Sequence, residues 1–156
     1  MARFDRTIPP GGEGKITLQV QTRGYQGTIS KSVKVYTNDP LKNIELLTIS
    51  AFVKVPIYLS NRHVSLTGIA DRKITRTIVV KANENKPLTL EPSSFNLSKT
   101  VAYRIKEVEV GRVFRIHFTS IPGSVGIYRG VLKLKTNYPE KPEIIILIRA
   151  KFQKST

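Results

Sequence analysis

Apolar and polar residues alternate along most of this chain. Ile16, Leu18 and Val20 are separated by Thr17 and Gln19, and Val33 and Val35 by Lys34. Phe114, Ile116 and Phe118 are separated by Arg115 and His117, and Leu132 and Leu134 by Lys133. A period of two is the geometry of a strand with one buried face, because successive side chains point to opposite sides. No long window carries the i, i+3, i+4, i+7 spacing of an amphipathic helix. Val, Ile, Thr and Tyr recur where Leu and Ala are few, which favours strands over helices.

Turn chemistry divides the strands at short intervals. Pro9-Pro10-Gly11-Gly12 precedes a strand from about Lys15, and Arg23 to Gly27 breaks the chain before Thr28. Further breaks fall at Asn38-Asp39-Pro40, Asn83 to Pro87, Pro122-Gly123 and Asn137-Tyr138-Pro139. Short strands with turns at this spacing predict an antiparallel sandwich or barrel. Without helical segments there is nothing to build the crossovers of a parallel sheet.

The pattern also repeats. Val33 to Pro40 (VKVYTNDP) aligns with Leu132 to Pro139 (LKLKTNYP) at an offset of 99 residues, Thr37 to Thr136. At that offset Gly27 meets Gly126 and Ala51 meets Ala150 without a gap. Each copy reads as strand, Thr-Asn-x-Pro turn, strand. The turn is Thr37-Asn38-Asp39-Pro40 in one copy and Thr136-Asn137-Tyr138-Pro139 in the other, with Thr136, Asn137 and Pro139 matching. Asn bonds its own backbone and tolerates unusual dihedrals, and Pro then fixes φ. The spacing is close to the ~100 residues of one sandwich domain.

The repeat sets the expected boundaries. The second copy closes near Phe152, so a complete domain is expected over residues 55–156. The first closes near Val53, so residues 1–54 are expected to be the C-terminal half of a first, truncated domain whose earlier strands lie before residue 1. The chain is on this reading a fragment of a longer protein. A single larger sandwich with extra strands is the alternative.

These residues resemble a known family. Ile8-Pro9-Pro10-Gly11-Gly12-Glu13-Gly14-Lys15-Ile16, then Thr22 to Gly27, then Val35-Tyr36-Thr37-Asn38-Asp39-Pro40, are similar to the bacterial Ig-like family called domain of unknown function 1573. That family is similar in turn to abnormal-spindle and Hydin-like Ig domains. The likeness covers roughly residues 8–54, and more loosely the second copy, where Tyr138 replaces Asp. It implies a seven- to nine-stranded immunoglobulin-like antiparallel β-sandwich, tandem here on the strength of the repeat, in exported or envelope proteins of bacteria, so the periplasm or cell envelope is the expected compartment of the full-length protein. The family pattern often has a Cys-Gly-Cys stretch upstream of the Pro-Pro-Gly turn, which would precede Met1. No activity, catalytic residue or cofactor comes with the resemblance.

Composition narrows the chemistry. Of 156 residues none is Cys, so disulfides, thiol nucleophiles and thiolate metal sites are excluded within the chain. The longest strongly apolar stretch, Ile144 to Ile148, is far too short for a spanning helix of ~20 residues. Met1 to Asp5 has no apolar leader core. His63 and His117 are the only histidines and lie far from ligand spacing. His117 alternates with Phe114, Ile116 and Phe118, so it is expected on a strand surface. No Gly-x-Ser-x-Gly elbow occurs, and Asp39 already has a use in its turn. Glu107 and Glu109 share a strand face, a spacing that suits a hard cation or an acid–base pair, but Arg104 and Lys106 beside them make cross-strand salt bridges the expected use. Pro10 to Ile16 ends in Gly-Lys-Ile, without the spacing or hydroxyl of a phosphate loop.

The formal net charge is +15. Eight basic and four acidic residues fall in residues 1–55, against eighteen and seven in residues 56–156. Lys133 and Lys135 alternate with leucines, and Arg149 and Lys151 with Ile148, Ala150 and Phe152. These four are the candidate basic face. A solvated strand face accounts for them, and so does attraction to a polyanion. Nucleic-acid sheets usually add a row of stacking aromatics. Tyr25, Tyr36, Tyr128 and Tyr138 are candidates for exposure but lie near turns.

The expectation is a non-enzymatic structural or protein-interaction module without cofactor, catalytic residue, metal site or membrane span. Its partner is another protein, or the same chain, met through edge strands. The alternative is polyanion or nucleic-acid binding through the basic face of the second domain.

Overall fold

From Val55 onward the chain is two four-stranded sheets closed over one apolar core. The computed structural model describes residues 1–154, which contain strands and no helix, and hence no helix long and apolar enough to cross a membrane. The strands are β1 (Ala2–Phe4), β2 (Ile16–Leu18), β3 (Gly27–Tyr36), β4 (Ile44–Val53), β5 (Ile57–Leu59) and β6 (His63–Ile69). They continue as β7 (Thr75–Ala82), β8 (Leu90–Phe95), β9 (Val101–Glu109), β10 (Val113–Ser120), β11 (Gly126–Thr136) and β12 (Glu143–Gln153). They divide into two compact units, Met1–Lys54 and Val55–Thr156.

In the second unit one sheet has the order β5-β7-β10-β9 and the other β6-β12-β11-β8. All pairs are antiparallel except β12 with β6, where Leu147↔His63 runs parallel to Gln153↔Ile69. Two sheets of this order, antiparallel but for the β6-β12 pair, with Greek-key connectivity make the immunoglobulin-like sandwich. Strand alternation builds the core. Ile144, Ile146, Ile148, Ala150 and Phe152 of β12 are all buried, and Ile145, Leu147, Arg149 and Lys151 between them are exposed. Leu132 and Leu134 of the neighbouring β11 join them, and Phe114, Ile116 and Phe118 of β10 face them from the other sheet. Each such side chain contributes roughly 1.5–3 kcal/mol on burial.

The first unit holds two separate hairpins, β1-β2 and β3-β4. Its β3-β4 hairpin repeats β11-β12 residue for residue. Gly27↔Val53 through Tyr36↔Ile44 becomes, 99 residues on, Gly126↔Phe152 through Lys135↔Glu143. The turns repeat too. Thr37 N donates to Asn43 O, Thr37 Oγ1 to Lys42 O, and Asp39 N to Thr37 Oγ1. Thr136 N donates to Pro142 O, Thr136 Oγ1 to Lys141 O, and Tyr138 N to Thr136 Oγ1. The threonine hydroxyl in each copy closes the loop onto itself, which is why it recurs.

Tyr138 is not exposed as its turn position predicts; only 2% of its surface meets solvent. Its hydroxyl donates to Lys86 O, and the neighbouring Asn137 bonds Pro87 O and Thr89 N. The turn is thereby clamped over the segment that leads into β8. Burial pushes the Tyr138 phenol above its ordinary value; Arg112 opposes the shift and Glu84 and Glu140 add to it. The neutral form is thus the one the fold prefers. Its stabilisation is whole below the ordinary tyrosine value, about 10, and is lost as pH rises through the elevated folded value. Tyr138→Phe is expected to cost about 1 kcal/mol at neutral pH, the worth of one buried hydrogen bond. It should also remove part of the alkaline loss of stability. Urea unfolding of both proteins on either side of pH 10 checks this.

Candidate functional site

The four basic residues singled out by alternation share one surface. Lys133 and Lys135 on β11 and Arg149 and Lys151 on β12 all project from the outer face of the β6-β12-β11-β8 sheet, opposite the buried leucines and isoleucines. The register groups them unevenly. Lys135 lies across from Glu143 on one side and Glu91 on the other, so carboxylates flank it. Lys133 lies across from Ile145 and Ser94, and Lys151 from Ile127 and Thr67. Arg149 lies directly across from Arg129.

Sequence reasoning missed Arg129, although it occupies the same alternation two residues before Val131. Arg129 and Arg149 line a cleft of about 580 Å³ with His63, Ser65, Val131 and Leu147. Like charges directly opposed on neighbouring strands are destabilising. Among the described residues neither guanidinium makes an ion pair; Lys42–Glu45 is the one pair within 4.0 Å. Asn96 Oδ1 accepts from Val131 N just beyond the end of β8, so β8 does not cover this part of β11. The cleft therefore combines two guanidiniums and an imidazole with apolar walls, a set that can receive an anionic group.

The basic surface is wider than the four residues imply. On the other sheet Arg115 lies across from Lys106, and His117 across from Arg104. Period-two strands expose polar positions on both outer faces of a sandwich, so cations appear on both. His117 is half-buried, and its Nδ1 shares a hydrogen bond with Thr77 Oγ1 at 2.9 Å. His63 and His117 belong to different sheets. Among the described residues the expected salt bridges of Glu107 and Glu109 do not form. Glu107 Oε1 instead accepts from Gly111 N at 2.6 Å, tying the β9-β10 turn, and a register shift between Val113 and Phe114 separates the two glutamates. Asp39 holds its turn through Leu41 N, as its position implies. No group of three metal-ligating side chains occurs among the described residues.

No protein-family model matches this chain, and no curated protein matches it. Solved structures do resemble it. One is a protein of unknown function from Porphyromonas gingivalis W83, 10% identical, with a TM-score of 0.49 over 88% of this chain and 71% of that one. Another is domains 4 and 5 of the S-layer protein SbsC, 13% identical, with a TM-score of 0.40 over 94% of each chain. At these identities neither likeness carries information about activity.

Proposed function

We propose that this chain is a non-enzymatic, immunoglobulin-like structural or protein-interaction module of an exported bacterial protein, akin to the domain of unknown function 1573 and resident in the periplasm or cell envelope. The observation that supports it best is the outer face of the β6-β12-β11-β8 sheet. Exposed Ile127, Ile145 and Leu147 alternate there with Arg129, Lys133, Arg149 and Lys151. Apolar anchors mixed with arginines are the composition of a recognition surface. Its partner is an acidic protein surface.

The opposed pair Arg129 and Arg149 favours a second reading, in which the same face holds a polyanion by charge. One titration series separates the two. The double variant Arg129→Ala/Arg149→Ala is expected to weaken heparin or single-stranded DNA binding and to lower the slope of log affinity against log salt by about 1.4–1.8, the loss of two phosphate or sulfate contacts. Wild-type and double-variant proteins with equal slopes would remove this face from polyanion binding. Substrate turnover by the isolated chain that one point substitution abolishes would overturn the non-enzymatic reading altogether.

A further inference from the structure

The two hairpins have the same register but different neighbours. On β11 the outer edge is occupied by β8, with Leu132↔Phe95, Lys133↔Ser94, Leu134↔Pro92 and Lys135↔Glu91. On β12 the other edge is occupied by β6, and the β5-β7-β10-β9 sheet covers the apolar face. The β3-β4 hairpin is a sheet of two strands only. Its inward face, equivalent to Leu132, Leu134, Ile146 and Ile148, is Val33, Val35, Leu47 and Ile49. Ile146 is 0% exposed, whereas Leu47 and Ile49 are each 39% exposed. Along β3, and not at Leu47 or Ile49, a cleft of about 710 Å³ lies between Val33–Asn38 and the β1-β2 hairpin, which lines it with Phe4, Ile8 and Ile16 among others.

Asn38 gives the missing neighbour a shape. Its counterpart Asn137 uses both ends of its amide on a passing backbone: Nδ2 donates to Pro87 O at 2.9 Å, and Oδ1 accepts from Thr89 N at 3.0 Å. Asn38 sits in a turn with the same hydrogen bonds, yet its amide has no partner among the described residues. We propose that the β3 edge and Asn38 form a docking site for one extended segment from outside these residues, a partner with the chemistry of Pro87–Phe95. That segment passes the Asn38 amide as Pro87–Thr89 passes Asn137, and then pairs antiparallel with β3 over Val33–Thr37. Its alternate apolar side chains cover Val33 and Val35.

Charge selects the occupant. Residues 1–54 carry eight basic and four acidic side chains, and β3 carries Lys31 and Lys34 with no acid. A second copy pairing β3 with β3 would bring these lysines together, which is unfavourable. A neutral or acidic strand, as β8 is with Glu91, is complementary. Main-chain bonds at a free edge then supply affinity, and alternate side chains supply specificity.

The probe is a synthetic peptide of Lys86–Leu97, added to the intact chain and followed by amide NMR. The expected result is shift changes confined to Val33–Tyr36 and the Asn38 amide, with slowed hydrogen exchange along β3. Asn38→Ala is expected to weaken binding about tenfold, as two lost hydrogen bonds imply, and a peptide with apolar and polar positions exchanged should not bind. Asn38 is exposed and lies in the first unit, so the peptide-free amide spectrum of β4, paired to β3, serves as the folding control. Absence of β3 shifts at millimolar peptide, equal binding by Asn38→Ala, or a dimer paired through β3 would each overturn the proposal.

Discussion

Leu134→Asp is expected to unfold the second unit, while the equivalent Val35→Asp leaves both units folded. Leu134 is fully buried between β8 and β12, with the opposite sheet above it. A carboxylate there would lose its hydration with no cation in the core to receive it, because the core cluster is entirely apolar side chains apart from the hydroxyl of Tyr138. The cost includes the lost leucine burial, about 2–5 kcal/mol for removing a core leucine, and the several kcal/mol of a desolvated charge. Together these meet or exceed the stability of an ordinary domain, roughly 5–15 kcal/mol. Val35 occupies the same register position one repeat earlier but is only half-buried, beside an open cleft. A carboxylate there stays hydrated, so the expected cost is about 1 kcal/mol or less. Thermal unfolding with hydrogen exchange read separately for residues 1–54 and 55–154 checks both. A large effect of Val35→Asp on the first unit would mean that its apolar face is already closed.

The second large effect is expected at Gly111→Val, set against Gly11→Val, a first-unit glycine of similar φ. Gly111 closes the β9-β10 turn with φ +63°, where a β-branched residue is strained. A Cβ there would come within 2.7 Å of Pro87 Cβ and 3.0 Å of Pro87 Cα. The neighbour is a ring and its backbone, so it has little room to yield. Gly111 O also accepts from Leu88 N, and Gly111 N donates to Glu107. Dihedral strain of about 1–2 kcal/mol and overpacking of about 1–3 kcal/mol act together, and displacing Pro87 would also strain the Asn137 clamp. Gly11 has a similar φ of +74° with nothing within 4 Å of its added Cβ. Only the dihedral strain of about 1–2 kcal/mol applies there. Chemical denaturation midpoints of the two variants should therefore differ clearly. Equal losses would mean that the Pro87 contact contributes nothing.

Much of this molecule is legible from residue order. Alternation placed Phe114, Ile116 and Phe118 inward and Lys133, Lys135, Arg149 and Lys151 outward. The Thr-Asn-x-Pro recurrence located the hairpins that share a register. Tyr138 shows where such reading stops. Beside a turn it reads as exposed, yet the Lys86–Thr89 segment, some fifty residues away in sequence, covers it. Glu107 shows the same limit, since the donor it meets is a turn amide and not the nearby arginine. Arg129 was readable as an outward residue, but its confrontation with Arg149 depends on the β11-β12 pairing.

The sequence by itself determined which residues form strands, which turns join them and which side of each strand is apolar. These properties depend on side-chain alternation and on turn residues a few positions apart. The tertiary structure alone decided which edges are occupied. It set β6 parallel to β12, placed β8 against β11 and left β3 open. Pairing joins residues far apart in the chain, and two hairpins with nearly the same local pattern differ only in the neighbours that reach them. For the same reason Asn137 grips a backbone while Asn38, in a turn with the same hydrogen bonds, holds none among the described residues.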